Sequence, residues 1–357
     1  MVTKNKVFDN VNTFVDDFLK ANLSGRYQEV IRCRYGIDGA NPETLQAIGN
    51  RYGITRERVR QIEALALGNL LKVAKNYPNL IRLMDSSINR LKSVGGIEEE
   101  NSLLNFLKKS LNHGEIDARF ANSIKFVLEL SGKINRHSDN YDKDWRCYWY
   151  LSKEEETKAK GFIAKLISSL NSKKNAIVSE NNFNEIFAQV TKQNNLKEET
   201  AKNLLAISKK FVTGPFGHFG LADWSEINPK TARDWAYAIL KKEQKPLHFS
   251  ELFKMISSNR SDKKTNLQTV HNELIKDERF VLVGRGLYGL KEHGLIPGTA
   301  KEIIAHFLKK HGPMTHKEIS ELVLGQRMIK PTTIMINLQN KKHFVNTPDG
   351  KYDIKEA

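Results

Sequence analysis

Residues 53–63 read GITRERVRQIE and set Arg56, Glu57, Arg60 and Gln61 on one short stretch of predicted helix. These side chains can read base pairs in a major groove. Arginine grips guanine with two donors, glutamine pairs with adenine, and glutamate accepts from cytosine N4. The glutamate is the informative one, because a surface that only attracts phosphate has no use for it. A solvated helix of mixed charge is the competing reading. Little else suggests chemistry. The chain has no GxxxxGK[ST], HExxH or GxSxG stretch. Its histidines are scattered, and His311 and His316 lack carboxylates at ligand spacing. The acidic runs EEEN (98–101) and KEEE (153–156) read as first turns of helices, where carboxylates suit the dipole, rather than as a nuclease centre. No catalytic residue, metal site or cofactor is assigned, and an enzyme is not expected.

The flanking residues must position these side chains. Leu45, Ile48 and Tyr52 fall at i, i+3 and i+7, one face of a short helix. Gly53 suits a left-handed turn position. Thr55 offers a hydroxyl N-cap to a second helix, with Glu57 in its first turn. Gly49 has no side chain where the two helices of a tight helix-turn-helix approach closely. At about 100° per residue, Val59, Ile62, Ala66 and Leu70 gather on one side, with Arg56, Glu57, Arg60 and Gln61 nearly opposite. The apolar side packs, and the polar side faces outward from the N-terminal half, as in a recognition helix.

Residues 23–72, LSGRYQEVIRCRYGIDGANPETLQAIGNRYGITRERVRQIEALALGNLLK, resemble region four of primary-class bacterial sigma factors, and TRERVRQIEA is the most specific part. The resemblance implies a helix-turn-helix that reads the −35 promoter element while bound to the flap of the RNA polymerase β subunit. It implies base contacts for Arg56, Glu57, Arg60 and Gln61, and backbone contacts for Thr55 and Arg58. Arg26, Leu45 and Gln46 fall where the family's preceding helices meet phosphates. Where the family carries a lysine and then a basic pair, this chain has Leu65, Gly68 and Asn69. That weakens the basic face and suits Leu65 to a protein contact. The family's −10-melting region would lie N-terminal to the match, where residues 1–22 leave no room for it, so a complete sigma factor is not expected.

The length of 357 residues suggests two to four domains. A net charge of +16 draws polyanions, nucleic acid first. Cys33 and Cys147 lie in unlike contexts, which excludes a disulfide framework and a Cys-based zinc site. The chain opens without a signal-peptide core, and no apolar run is long enough to span a bilayer. A cytoplasmic, nucleoid-associated protein with no membrane partner is expected; oligomeric state is not legible.

Three stretches share one punctuation: KKFVTGPFGHFGL (209–221), ERFVLVGRGLYGL (278–290) and KHFVNTPDGKYDI (342–354). Each has Phe-Val, a turn, then an aromatic two residues before an aliphatic, the pattern of a β-hairpin. Phe211, Phe280 and Phe344 therefore mark an internal repeat. Helical stretches precede each hairpin in the order of a winged helix, and a looser copy spans 89–151. The expected fold class is mostly α with small β-hairpin wings, a string of tandem helix-turn-helix and winged-helix modules. Their expected boundaries are 1–80, 81–155, 156–228, 229–294 and 295–357, with joints at Tyr77-Pro78, Asn228-Pro229 and Leu295 to Gly298.

Residues 232–292, with KPLHFSELFKMI and DERFVLVGRGLYGL, resemble the HARE-HTH winged-helix family, which implies wings and third helices that meet DNA or protein and no catalytic residues. The third helix here is poor in arginine, with Asn266, Gln268, His271 and Asn272 on its polar face. Arg285, at the wing, could enter a minor groove or grip a phosphate. Trp145, Tyr148, Trp149 and Tyr150 are expected to bury one face in a core rather than stack bases.

The expected function is sequence-specific binding of double-stranded DNA in transcription regulation. The first module reads a −35-like element, and the winged helices extend the footprint or hold a partner. One alternative is an RNA polymerase accessory subunit that docks the flap and touches DNA weakly. Another is the DNA-recognition component of a restriction, defence or mobile-element system, with catalysis in another chain.

Overall fold

The computed structural model describes residues 10–139, 142–174, 182–260 and 266–355. These residues are mostly helical with small antiparallel sheets, the tandem helix-turn-helix and winged-helix class expected. Two compact units divide between Phe211 and Val212.

The first unit opens with α1 (Val11–Asn22), α2 (Gly25–Tyr35), α3 (Leu45–Tyr52) and α4 (Arg56–Ala74). Next come α5 (Pro78–Ser93), β1 (Ile97–Glu99), α6 (Glu100–Ser110), α7 (Ala118–Leu130), β2 (Asn135–His137) and β3 (Tyr148–Tyr150). That is the winged-helix order, and its sheet runs β1-β3-β2 with Tyr150 between Ile97 and Asn135. One apolar core continues through both parts, from Val15, Phe18 and Leu70 to Leu83, Phe126 and Trp149. Tyr148 and Trp149 are fully buried, and as neighbours on β3 they point to opposite faces, so the cluster is core on both faces rather than the one expected.

The two acidic runs part company. KEEE opens α8 (Lys153–Ser172), with Glu154, Glu155 and Glu156 in its first turn. EEEN does not open a helix throughout: Glu98 and Glu99 lie in β1, and only Glu100 begins α6. Glu98 is buried against Arg90, and the Glu99 carboxylate caps α6 by accepting from the Ser102 amide at 2.9 Å. Only Glu98 is placed by an ion pair rather than by a helix N-terminus. After α8 come α9 (Phe183–Gln193), α10 (Glu198–Ala206), β4 (Phe211–Thr213) and β5 (Phe219–Leu221); residues 176–181 of the repeat lie outside the described residues.

In the second unit, α11 (Ala232–Glu243), β6 (Leu247–His248), α12 (Phe249–Asn259), α13 (Leu267–Lys276), β7 (Phe280–Gly284) and β8 (Leu287–Leu290) repeat the order, with the sheet β6-β8-β7. The last stretch has α14 (Ala300–His311), α15 (His316–Gln326), α16 (Pro331–Leu338), β9 (Phe344–Asn346) and β10 (Tyr352–Ile354). There Met314 bridges Tyr352 where the two three-stranded sheets have a first strand. The repeat phenylalanines have one physical job: Phe211, Phe280 and Phe344 are all buried where a hairpin leaves the helices. Arg327 holds the joint at residues 295–298. Its buried guanidinium donates to the Ile296 and Gly298 carbonyls at 2.7 Å each.

Candidate nucleic-acid interface

The helix-turn-helix is built by local chemistry at each corner. The Thr44 hydroxyl accepts from the Ala47 amide at 3.1 Å and starts α3. Gly53 ends α3 at φ +64°, a left-handed conformation that glycine adopts freely. Thr55 Oγ1 then accepts from the Arg58 amide at 3.1 Å and starts α4. A Cβ on Gly49 would stand 2.7 Å from the Ile54 carbonyl oxygen, so only glycine lets the turn close this tightly. A small core of Val30, Ile48, Val59 and Ile62 clamps α2, α3 and α4, with Leu45 and Tyr52 packed at its edge.

That clamp leaves Arg56, Glu57, Arg60 and Gln61 exposed on the N-terminal half of α4, away from buried Val59, Ile62, Ala66 and Leu70. Glu57 and Arg60 form a two-pronged ion pair: Nε donates at 2.9 Å and Nη2 at 2.7 Å. The Arg60 hydrogen bond holds the Glu57 carboxyl below its ordinary range, and Glu57 raises the guanidinium in turn. Arg60 still has Nη1 and one Nη2 hydrogen for a base edge. An exposed pair of this kind contributes little stability, so a base can compete for it at small cost. Arg58 Nη1 donates to Gln61 Oε1 at 3.2 Å, and the Gln61 amide in turn helps lower the Glu57 carboxyl. The Arg56 side chain makes no hydrogen bond or ion pair among the described residues.

The remaining sequence-derived residues divide. Thr55, Arg58, Arg26, Leu45 and Gln46 all lie on this module. The Arg26 guanidinium stands 5.9 Å from the centre of the Tyr52 ring. Gln46 Nε2 donates to Asn50 Oδ1 at 2.8 Å, and Leu45 is half-buried. Gly49, Asn50, Gly53, Ile54, Thr55 and Arg58 line a surface concavity at the turn. Arg285 belongs to the second unit, exposed between β7 and β8. On α13, Asn266 is the N-cap, accepting from the Thr269 amide at 2.7 Å, and His271 stacks near Phe249 at 4.5 Å. Both have structural work. Gln268 and Asn272 remain exposed and bonded to each other at 3.1 Å.

Leu65 is 54% exposed, no atom lies near a Cβ built on Gly68 and Asn69 is exposed, so the three departures from the basic pattern stand on an open surface. The sequence reading did not find Asp16, Arg119 and Asn122, which hold this module to α7. Its signal was available: apolar residues of α7 spread over more than half its circumference. Among the described residues, no group of His, Cys, Asp and Glu is placed to hold a metal ion, and no helix is long and apolar enough to cross a membrane.

Comparison with known proteins places this geometry. Residues 21–72 match the family described as Sigma-70, region 4. RNA polymerase sigma factor SigA of Nostoc sp. is 40% identical over 75 residues, 21% of this chain and 18% of that protein. SigA of Synechocystis sp. is 40% identical over 75 residues, covering 21% and 16%. RNA polymerase principal sigma factor HrdD of Streptomyces coelicolor is 45% identical over 60 residues, covering 17% and 18%. The chain thus spans under a fifth of the length of the curated relatives it matches. No solved structure matches significantly. The family match ends at residue 72 and does not extend to residues 232–292. The N-terminal module is a region-four-like helix-turn-helix, a likeness that supports a DNA-binding, transcription-related role.

Proposed function

We propose that the protein is a sequence-specific double-stranded DNA-binding regulator of transcription that reads a −35-like element through α4. One observation carries this reading. Arg56, Glu57, Arg60 and Gln61 stand exposed on the N-terminal half of a recognition helix whose apolar side is locked into its own module. Arg56 and Arg60 offer donors to guanine, Gln61 to adenine, and Glu57 accepts from cytosine, each good pair supplying about 1–3 kcal/mol of discrimination. Thr55, Arg58, Arg26, Leu45 and Gln46 set the register on the phosphates, and the winged helices, Arg285 among them, extend the footprint. The proposal includes no catalytic step, and it places the protein in the cytoplasm with the nucleoid.

Selection of bound duplexes from a random pool tests it, with wild type beside Arg60→Ala/Gln61→Ala. The expected result is a −35-like consensus with wild type that the double variant fails to select. Enrichment of nothing by either protein refutes base readout, and an unchanged motif moves it to the winged helices. Docking on RNA polymerase, through the flap, is the second reading, favoured by exposed Leu65 at a position where the family is basic. Its signature is polymerase capture that survives Arg60→Ala/Gln61→Ala and is lost in Leu65→Glu.

A further inference from the structure

In a winged helix, the third helix and the wing are the parts free to reach nucleic acid. In the module of α5 to β3, both are already occupied. The third helix, α7, buries Phe120, Asn122, Ser123, Ile124, Phe126, Val127, Leu128 and Leu130, an arc of about 240° at about 100° per residue. By contrast α13 buries Val270 and Leu274 and α16 buries Ile334 and Leu338, each a single narrow stripe. The extra face of α7 seats the helix-turn-helix. Asn122 Nδ2 donates to the Gly36 carbonyl at 2.9 Å and the Ala40 carbonyl at 3.1 Å, closing the end of α2. Phe126 meets Tyr35 edge-on at 5.1 Å. The Asp16 carboxylate of α1 takes Arg32 of α2 and Arg119 of α7 together.

The wing side is engaged too. Arg146, just before β3, donates through Nη1 to the Ala206 and Ser208 carbonyls at 2.8 and 2.7 Å. Its amide donates to the Ile207 carbonyl at 2.9 Å, and the Lys209 amide to the Asp144 carbonyl at 2.8 Å.

We infer that this winged helix is not a DNA reader but the seat that fixes the direction of α4, with its third helix and wing spent on the chain itself. Asn122 and Arg119 are positioning residues: they touch no base and hold the module that does. The seat stands whatever α4 reads, so its test is independent of the proposed function.

Spin labels at Asn50→Cys on α3 and Asn105→Cys on α6, in a Cys33→Ser/Cys147→Ser background, report the distance between the two modules by pulsed electron resonance. Wild type is expected to give one narrow distance, unchanged when duplex DNA carrying the selected motif is added. Arg119→Ala/Asn122→Ala is expected to broaden it several-fold, with the far-ultraviolet dichroism of the helices retained. A broad distribution in wild type, or a shift on adding DNA, overturns the inference without any use of the variant. A narrow distance in a folded double variant removes the positioning role of these two residues. Failure of wild type to bind DNA sinks the proposed function and leaves the label distance standing.

Discussion

Two glycines of the first module test the close approach of α3 and α4 with opposite signs. Gly49 and Gly68 both lie inside helices, so alanine at either gains about 1 kcal/mol of helix propensity. At Gly68 nothing lies within 4 Å of the added Cβ, and the gain is kept. At Gly49 the new Cβ stands 2.7 Å from the Ile54 carbonyl oxygen and 3.4 Å from the Arg56 amide nitrogen. These are backbone atoms, held by the hydrogen bond from the Ile54 amide to the Gly49 carbonyl at 3.0 Å, so they cannot rotate away. Overpacking of this kind costs about 1–3 kcal/mol, here at the upper end, leaving a net loss of about 1–2 kcal/mol. For a unit of this size about 1 kcal/mol moves Tm by about 2–4 °C. Gly68→Ala should raise the first unit's Tm by about 2–4 °C, and Gly49→Ala should lower it by about 2–8 °C, read as separate transitions by calorimetry. Gly49→Ala should also weaken duplex binding, because α4 shifts against α3, and Gly68→Ala should not. A Gly49→Ala protein with a raised Tm would refute the close-approach argument.

Other expectations follow from the same contacts. Thr55→Ala removes the cap on α4 and should cost about 1 kcal/mol in urea unfolding, with Thr55→Ser restoring it; equal loss in both variants would assign the effect to the methyl group. Arg26→Ala should lower the slope of log K against log salt by about 1 with the selected motif unchanged, whereas Gln61→Ala should keep the slope and relax one base position; the reverse pattern would exchange their roles. Burial pushes the Glu156 carboxyl up, but hydrogen bonds from Lys153, Lys160 and Tyr148 outweigh it and bring it down to about 2. A folded value below the unfolded one stabilises the chain above the ordinary carboxylate range. That contribution should therefore fade as pH drops from about 4.5 towards 2. Glu156→Gln should flatten this part of the stability profile, and an unchanged profile would assign the acid sensitivity elsewhere.

The helix-turn-helix was legible because its determinants are local. Gly53 must turn, Thr55 must cap, and Val59, Ile62, Ala66 and Leu70 must share a side, all within one stretch of chain. The winged-helix order was legible for a related reason, since Phe211, Phe280 and Phe344 repeat one sealing position. What was not legible depends on partners distant in sequence. Asn266 was placed on a polar face by its type, yet its side chain caps α13. Glu98 looked like part of a helix start, yet Arg90 and the sheet claim it, while Glu99 pairs in the sheet and still caps α6.

The seat on α7 shows the general form of the problem. The pattern ARFANSIKFVLEL announces a helix with a wide buried arc, but width says only that a second surface exists, not which one. Asn122 is the clue to its identity. A polar side chain buried on an apolar helix requires acceptors, and here they are carbonyls 86 and 82 residues away, at the end of α2. The end of α2 exposes those carbonyls because Gly36 turns it at φ +63°, and a Cβ there would run into the Ala40 carbonyl oxygen and stand 2.7 Å from the Asn122 amide. The glycine that ends α2 and the asparagine on α7 are therefore one device, and replacing either alone leaves the other without its function. Gly36→Ala should loosen the seat as Asn122→Ala does, and the double variant should cost less than the sum of the two.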